Sequence, residues 1–549
     1  MRFWRCLLLC FSAGFGGPGV AWSAPAQEAV WQWSVPVGES RAFLWIPEKC
    51  GRVRAVLLAQ HNMIERPILE HPAMRRNLAE CGIAEVFLVP GIDPVFRFDQ
   101  GTGGRFDGIL RALADVSGYG ELATAPVAPM GHSAHASFPW NFAAWNPGRT
   151  LAVLSVKGDA PVTDLTGSGR PNPDWGTSTL DGVPGLMVMS EYEWWDARLA
   201  PLMKYHSMHP AAPLAVLADA GHGHFDASDG LVGYLALFLR KAATARLPAD
   251  GAGPLRAVDP TNGWLVDRWR GDEAPHSAAA PNSTYGGDRA EAFWCFDGEM
   301  ARTTEACQAT GRGKKKQEPG FRQNDGFVPI SNSHAGTELQ FQPDADGITF
   351  RLDAGFITPL PPNPPTATKD KRPPVVTVMP EPAAAGTHAP GSVRVSKIIG
   401  PVAETGPGTF RVSLDRMFPA ADRRPMEVWF LASHPGDEAY KSAVRQAMMR
   451  LRAFTEGAVQ AISFPAIADR KPDASAISLT ATADSGLPVG YYVREGPAFV
   501  QGDTLHLTTI PPRAKLPVRV TVVAWQFGRG AEPKIQAAEP VERSFLIRP

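Results

Sequence analysis

Short apolar runs alternate with amphipathic stretches over residues 31–247. The runs are rich in valine, leucine, isoleucine and alanine, as expected of strands that are buried on both faces. The stretches between them carry apolar residues at helical spacing, for example at positions 106, 109, 110, 113 and 116. This alternation predicts an α/β unit with a mainly parallel sheet and helices on both faces. The predicted strands include residues 54–60, 83–90, 150–156, 186–190 and 214–218, and the predicted helices include residues 69–81, 106–117, 136–145, 199–208 and 231–245.

The chain changes character after residue 248. Residues 249–292 are rich in glycine, alanine, proline and aspartate, which is typical of a linker. Residues 293–457 contain short β-prone runs separated by turns, and they predict a β-sandwich with a proline-rich insertion at 359–390. Within this part, the amphipathic pattern of residues 440–454 predicts one helix.

Residues 458–549 form the last predicted unit, and all of its apolar runs are β-prone. Three segments carry distinctive motifs: Ser-Gly-Leu-Pro-Val at 485–489, Glu-Gly-Pro-Ala at 495–498 and Val-Val-Ala-Trp-Gln-Phe-Gly at 522–528. These motifs resemble those of bacterial immunoglobulin-like repeats, and the resemblance implies a spacing or attachment module. The predicted fold class is therefore multidomain, with an α/β unit at 25–248 followed by all-β sandwich units.

Composition and the N-terminus restrict the class of protein. The chain has 549 residues, 20% of them charged, and a formal net charge of -1. Its basic residues are scattered, so we expect no nucleic-acid partner. Two arginines, a short apolar core and a run of small residues predict a secretory signal over residues 1–24. No later apolar run reaches the roughly 18 residues that a membrane span needs, and we expect a soluble, secreted or periplasmic protein.

Four cysteines remain after the predicted signal: Cys50, Cys81, Cys295 and Cys307. An even number of cysteines in an exported chain favours disulfides. Local pairing predicts the bridges Cys50–Cys81 and Cys295–Cys307, with free buried thiols as the alternative. The spacing matches no zinc site, and we predict neither a metal nor a cofactor.

The segment with the clearest chemistry is Gly131-His132-Ser133-Ala134-His135. It follows an apolar run and precedes a predicted helix. A serine at such a strand-to-helix turn has a strained backbone and a hydroxyl exposed above the sheet, which is the geometry of a nucleophile. The second glycine of the Gly-x-Ser-x-Gly pattern is replaced here by histidine. Ser133 is the predicted nucleophile.

A serine nucleophile needs a base, and the base needs a carboxylate that orients it. Proteins with a serine at this kind of turn place the acid and then the histidine after later strands. The loop after residues 214–218 contains His222 and His224, and we predict His222 as the base with His224 as the alternative. A metal pair formed by these two histidines is less favoured, because no third ligand cluster accompanies them.

The acid is expected in the loop after the strand at 186–190. Glu193 lies three residues past Ser190, where a Gly-x-x-Asp motif would place its carboxylate, and it is the predicted acid. Glu191 and Asp196 in the same loop remain alternatives.

Acyl transfer also needs hydrogen-bond donors for the developing oxyanion. We predict the backbone N–H of Ala134, directly after the nucleophile, and the backbone N–H of Met63, in the loop after the first parallel strand. The side-chain amide of Asn62 is a further candidate.

Residues 31–247 resemble the α/β-hydrolase fold, in a compact esterase-like form without a large cap. The resemblance rests on the serine turn, the acid loop and the histidine loop, which occur in the order that this fold requires. It implies a catalytic triad of Ser133, Glu193 and His222. The departure at His135 bears on the substrate subgroup more than on the nucleophile.

Aromatic and polar residues surround the predicted site. Flat indole rings are suitable platforms for sugar faces or aryl esters. An insertion at residues 163–182 lies where such folds often carry a lid. The tryptophans are Trp140, Trp145, Trp175, Trp194 and Trp195, and the polar residues of the insertion are Asp164, Arg170, Asn172 and Asp174.

These observations together predict an exported serine esterase that acts on polysaccharide-linked or aromatic esters through an acyl-enzyme. The predicted partner is therefore an ester substrate, with a carbohydrate polymer as one candidate carrier. The alternatives are a lipase or a serine peptidase with the same triad, and a catalytically degenerate binding or adhesion module. A lipase is less favoured because the sequence has no long apolar lid segment. A degenerate module is less favoured because candidates for all three triad positions are present.

Overall fold

A computed structural model describes residues 29–163, 171–193, 196–249, 253–331, 333–359, 377–417 and 426–549. The predicted signal segment therefore lies outside the described residues, as does most of the proline-rich insertion. The same holds for Trp194, Trp195, Asp164 and Arg170.

In the described residues, the N-terminal unit has eight strands and six α-helices. Its strands are β1 (Trp33–Val37), β2 (Ser40–Trp45), β3 (Ala55–Gln60), β4 (Ile83–Val89), β5 (Val127–His132), β6 (Val153–Val156), β7 (Gly185–Ser190) and β8 (Leu214–Asp219). Its helices are α1 (Glu65–Leu69), α2 (Pro72–Cys81), α3 (Thr102–Ser117), α4 (Ser137–Trp145), α5 (Asp196–Met208) and α6 (Asp229–Arg246).

The eight strands form one sheet in the order β1-β2-β4-β3-β5-β6-β7-β8. Strands β3 to β8 are parallel, and β1 and β2 extend the sheet antiparallel at one edge. Strand residues alternate between two cores because successive side chains point to opposite faces. On β3, Leu57 packs on the face covered by α2 and α6, and Leu58 packs on the face covered by α3 and α4. The predicted α/β class is confirmed.

Where the structure describes the chain between residues 264 and 450, it forms several small sheets and one α-helix. We call residues 318–450 the middle β region. The elements are β9 (Trp264–Asp267), β10 (Ala280–Pro281), β11 (Ala292–Cys295), α7 (Gly298–Ala309), β12 (Glu318–Gln323), β13 (Gly326–Phe327), β14 (Ile330–Ser331), β15 (Glu338–Leu339), β16 (Thr349–Arg351), β17 (Asp353–Ile357), β18 (Thr377–Val378), β19 (Arg394–Ile399), β20 (Val402–Gly406), β21 (Thr409–Val412), β22 (Glu427–His434) and β23 (Ala443–Arg450).

Two sequence predictions for this part need correction. The helix predicted at residues 440–454 is wrong, because β23 lies there and pairs with β22 along its whole length. That pairing buries Ala447, Met448 and Met449, so tertiary packing overrides their helical propensity. The predicted linker at 249–292 contains β9, which pairs with β10 and β11 in a small sheet.

The predicted disulfides are absent, and the four cysteines are free thiols. Cys50 and Cys81 belong to cores on opposite faces of the large sheet, so the sheet separates them. Cys295 lies on β11, with its sulfur 3.6 Å from the hydroxyl of Thr304, whereas Cys307 lies on α7. Burial raises the pKa of Cys295 to about 12 and that of Cys307 to about 11, so both thiols are protonated at neutral pH.

The C-terminal part is also β-rich. Its strands are β24 (Ile462–Ser463), β25 (Ile477–Ser478), β26 (Thr482–Ala483), β27 (Gly490–Glu495), β28 (Ala498–Gln501), β29 (Thr504–Leu507), β30 (Val518–Gln526) and β31 (Ala538–Ile547). They form small antiparallel sheets, which agrees with the predicted β class, and the immunoglobulin-like identity stays a prediction. Tyr492 and Trp525 pack into the core of the middle β region. None of the helices in the described ranges is long and apolar enough to span a membrane.

Candidate active site

Ser133 lies in a sharp turn between β5 and α4. Its φ angle is +54°, in the left-handed region that a side chain other than that of glycine rarely adopts. The turn is tight because Gly131 lies directly against it: a Cβ atom on Gly131 would be 2.0 Å from the carbonyl oxygen of His135. The strand-to-helix geometry predicted for this segment is therefore present.

His135 stands where the sequence pattern calls for a second glycine, and the structure makes room for it elsewhere. Its imidazole is buried and its Nδ1 lies 3.4 Å from the carbonyl oxygen of Gln60. A Cβ atom on Gly91 would be 2.8 Å from the same ring. The glycine at position 91 thus supplies the space that the larger side chain at position 135 requires.

The structure places His224, and not His222, beside the serine. His224 Nε2 is 2.8 Å from Ser133 Oγ, and His224 Nδ1 hydrogen-bonds to the Glu193 carboxylate. His222 instead hydrogen-bonds through its Nδ1 to Asp226, four residues on. A carboxylate, an imidazole and a hydroxyl in this sequence of contacts can pass a proton from the hydroxyl to the ring and stabilise the resulting imidazolium.

Buried polar contacts fix the histidine loop. The backbone turns at Gly221, whose φ angle is +78°. The fully buried ammonium of Lys157 donates to the carbonyl oxygens of Gly223, at 2.6 Å, and Asp226. Lys157 is also ion-paired with Asp219 at 3.1 Å. The anchored carbonyls set which of the two histidines faces Ser133.

His132, between the glycine and the serine of the motif, also holds this loop. Its Nε2 donates to the carbonyl oxygen of His224 at 2.9 Å, and the two imidazole rings are 4.8 Å apart between centroids. Burial first, and the adjacent His224 second, lower the pKa of His132 well below its usual value. His132 is therefore a neutral donor that locates the backbone of His224.

Glu193 is the only one of the three acid candidates that contacts His224 among the described residues. Burial by itself would raise its pKa, but His224 and Arg198 lower it to about 2. Arg198 Nη1 is 3.2 Å from the carboxylate. Glu191 accepts from the backbone N–H of Gly221 at 2.8 Å. Asp196 is largely exposed and lies 3.8 Å from a guanidinium nitrogen of Arg268.

Met63, the predicted second oxyanion donor, hydrogen-bonds to a carboxylate two residues later. The Met63 N–H donates to Glu65 Oε2 at 2.8 Å, and the other oxygen of the same carboxylate accepts from the His132 N–H at 2.9 Å. The Asn62 amide donates to the carbonyl oxygen of His132 at 2.9 Å. Glu65 and Asn62 therefore tie the loop after β3 to the serine turn. Ala134, the predicted first donor, directly follows the serine in this turn.

The described tryptophans of the predicted aromatic rim lie in the core or pack against it. Trp140 is buried, and its indole N–H donates to the carbonyl oxygen of Asp159 at 2.6 Å. Trp175 is buried and donates to Asn141 at 2.7 Å, and Trp145 packs against Phe96 and Phe142. In the described part of the insertion, Asn172 accepts from Asn141 at 2.7 Å, and Asp174 caps the following turn.

The aromatic surface near the site comes instead from the middle β region. The ring of Phe225, next to His224, lies 4.9 Å from both His334 and Trp429, centroid to centroid. A cavity open to solvent begins at the loop after β3 and runs between the two parts of the chain. Its lining residues are His61, Asn62, Arg66, Ile399, Gly400, Pro401, Asp415, Met417, Met426, Glu427 and Trp429.

The N-terminal unit combines a mainly parallel sheet, helices on both faces of that sheet and a serine in a strained strand-to-helix turn. These features confirm the predicted α/β-hydrolase fold for this unit. No protein-family model matches the chain, and no curated protein matches it.

Similar solved structures overlap about two fifths of the chain. A dienelactone hydrolase from Anabaena variabilis is 18% identical, with 40% of this chain and 97% of that chain covered and a TM-score of 0.27. An esterase from Pyrobaculum calidifontis is 16% identical, with 40% and 87% covered and a TM-score of 0.30. An S-formylglutathione hydrolase from Agrobacterium tumefaciens is 13% identical, with 39% and 93% covered and a TM-score of 0.29.

Proposed function

We propose that the protein is a serine hydrolase that cleaves carboxylic esters through an acyl-enzyme. The observation that carries this proposal is the continuous contact from Glu193 through His224 to Ser133, with the serine in a strained strand-to-helix turn. His224 replaces the predicted His222 as the base, and Glu193 keeps its predicted role as the orienting acid.

In the proposed mechanism Ser133 Oγ attacks the ester carbonyl while His224 Nε2 takes the hydroxyl proton. Glu193 accepts a hydrogen bond from His224 Nδ1 and stabilises the positive ring, because its own low pKa keeps it ionised. His224 then gives the proton to the leaving alcohol, and an acyl-enzyme forms on Ser133. Water, deprotonated by the same imidazole, releases the acid.

For the oxyanion we retain the Ala134 N–H as one donor, since it follows the nucleophile directly. The Met63 N–H does not serve as an oxyanion donor, because it already donates to Glu65. Glu65 instead supports the site by holding the loop after β3 against the serine turn.

We assign the cavity beside this loop to an apolar or aromatic group of the ester. Its side walls include Trp429, Ile399 and Met417, and the Arg66–Asp415 ion pair, at 2.6 Å, leaves no unpaired charge between these two side chains. An apolar wall favours a group that loses apolar surface to it on binding. Polysaccharide-linked or aromatic esters, met outside the cell after cleavage of the predicted signal, are the substrates that we propose, and the apolar wall favours the aromatic class.

Labelling with a fluorophosphonate probe tests the nucleophile. The wild type should form one covalent adduct on Ser133, and Ser133→Ala should form none. Ser137→Ala is the matched control, because Ser137 is also buried, on α4, and its hydroxyl donates to the Thr163 carbonyl oxygen at 3.1 Å and not to the triad. A wild type that is not labelled, or a Ser133→Ala variant that is labelled equally, would overturn the proposal.

Ester chain length then separates the alternatives within the class. We expect p-nitrophenyl acetate to be cleaved faster than esters of long acyl chains, as in an esterase. The reverse preference would indicate a lipase.

A further inference from the structure

Two residues of the middle β region, Lys441 and Ser442, contact the N-terminal unit beside the triad. Lys441 and Ser442 both contact the acid loop, and Ser442 also contacts the histidine loop. They directly precede β23 and lie about 250 residues after the acid loop along the chain. We call this pair the clamp. Neither residue belongs to the N-terminal unit, so the contact joins two parts of the chain at the site.

The clamp holds the acid loop through a buried ion pair. Lys441 Nζ is 2.6 Å from Glu191 Oε1, and the two side chains are only 2% and 5% exposed. The hydroxyl of Tyr192 donates to the carbonyl oxygen of Ser442. Both contacts lie within two residues of Glu193, so they restrict the position of its carboxylate.

The clamp holds the histidine loop as well. The Ser442 hydroxyl donates to the carbonyl oxygen of Gly221 at 2.8 Å. The backbone fits closely here, since a Cβ atom on Gly221 would be 2.1 Å from Ser442 Oγ. Glu191, held by Lys441, accepts the Gly221 N–H through its second oxygen at 2.8 Å. Gly221 is therefore fixed at both its N–H and its carbonyl.

The charge of Lys441 suits this role. Burial alone would lower its pKa, but the carboxylates of Asp272 and Glu191 raise it above its usual value. Lys441 thus remains cationic, and the buried Glu191 carboxylate is paired. Removing one partner of a buried ion pair is costly because the other charge is left uncompensated.

We propose that Lys441 and Ser442 are positioning residues of the active site: the middle β region fixes the spacing of the acid and histidine loops. This inference rests on the proposed hydrolase function. It assigns the middle β region a part in catalysis, in addition to the cavity wall it provides.

Steady-state kinetics of the full chain with p-nitrophenyl acetate test the clamp. In Lys441→Met we expect kcat to fall about 10- to 100-fold, because displaced catalytic groups cost rate, while KM changes less than about threefold. Lys441→Arg should recover most of the lost kcat. Lys315→Met is the matched control: Lys315 is exposed nearby and contacts neither loop, and we expect kcat to be unchanged.

A double-mutant cycle shows whether Lys441 acts through Glu191. In a Glu191→Gln background, Lys441→Met should reduce kcat little further. Asp272→Asn removes the other partner of Lys441, at 2.6 Å, and leaves the Glu191 contact in place, so its kcat should stay near that of the wild type. Additive losses from Glu191→Gln and Lys441→Met would overturn the inference.

Ser442→Ala provides a second test that does not disturb a buried charge. It removes the hydrogen bond to Gly221 and should lower kcat about three- to tenfold. Wild-type kcat in folded Ser442→Ala would overturn the clamp, and so would wild-type kcat in folded Lys441→Met. If the wild type itself shows no Ser133-dependent hydrolysis, the proposed function fails instead, so the two failures are distinguishable.

Discussion

His222 and His224 show what a single residue's position depends on. They are two residues apart in one loop, and either satisfies the order of serine, acid and histidine. The choice between them is made by contacts from distant segments: Lys157 binds the loop carbonyls, and His132 binds the carbonyl of His224. Sequence reasoning therefore identifies the loop that faces Ser133 and the glutamate, Glu193, that contacts His224, but it has no information that selects the histidine.

Met63 is a second residue whose role depends on contacts that appear only in the folded protein. Its place in the loop after β3 suggests an oxyanion donor, but the carboxylate of Glu65, two residues later, takes its N–H. A glutamate inside an apolar stretch just after that loop is the signal that was available in the sequence. Whether this glutamate accepts the Met63 N–H depends on its burial, which only the packed structure reveals.

Glu65 leads to a prediction about pH and stability. Burial raises its pKa from 4.5 to about 7, although the backbone N–H groups around it act in the opposite direction. The folded protein then binds more protons than the unfolded chain between these values, so the free energy of unfolding falls as pH rises through this window. The loss from this one group is on the order of 1–3 kcal/mol.

Glu65→Gln cannot titrate, so its unfolding free energy should decline less than that of the wild type between about pH 4.5 and 7. Denaturant unfolding at a series of pH values measures the difference. Glu80→Gln, an exposed change on α2, should keep the wild-type slope. Equal slopes in Glu65→Gln and the wild type would contradict the assignment.

The serine turn shows how elements determine a site. The strand-to-helix transition could be predicted because an apolar run, a glycine and a serine occur together. The helix predicted at 440–454 failed because alanine, methionine and arginine favour helices in isolation, whereas β23 gains a full ladder with β22 and a buried face. Local preference was outweighed by pairing with a partner that sequence reasoning could not identify.

Gly131→Ala tests the turn. The added Cβ would lie 2.0 Å from the carbonyl oxygen of His135, so we expect the turn to shift and fluorophosphonate labelling of Ser133 to be lost. Gly104→Ala on α3 is the control, because its Cβ would meet open space. That change should keep labelling and stabilise the fold by about 0.5–1 kcal/mol. Unchanged labelling in Gly131→Ala would contradict the described geometry.

At the scale of the whole molecule, the site belongs to more than one part of the chain. The N-terminal unit carries the serine, the histidine and the acid, and its class follows from the alternation of strands and helices. The cavity wall and the clamp come from the middle β region, whose contacts with the site involve sequence separations of more than two hundred residues. No local pattern in the sequence encodes such contacts.

Substitution of Trp429 tests whether the cavity binds the aromatic group of the ester. Trp429→Ala should raise the KM for an aromatic ester such as phenyl benzoate about tenfold, because apolar contact is lost. The KM for a small ester such as ethyl acetate should change much less. Trp429→Phe should restore most of the preference. Equal changes in both KM values would show that the cavity does not hold the aromatic group.

We propose His224, held by Glu193, as the base for Ser133. This role is tested by kcat/KM for p-nitrophenyl acetate in His224→Asn and in His222→Asn, with folding checked by circular dichroism. We predict that His224→Asn lowers kcat/KM by about 10⁴-fold and that His222→Asn stays within about tenfold of the wild type. An inactive His222→Asn beside an active His224→Asn would contradict the assignment of His224 as the base.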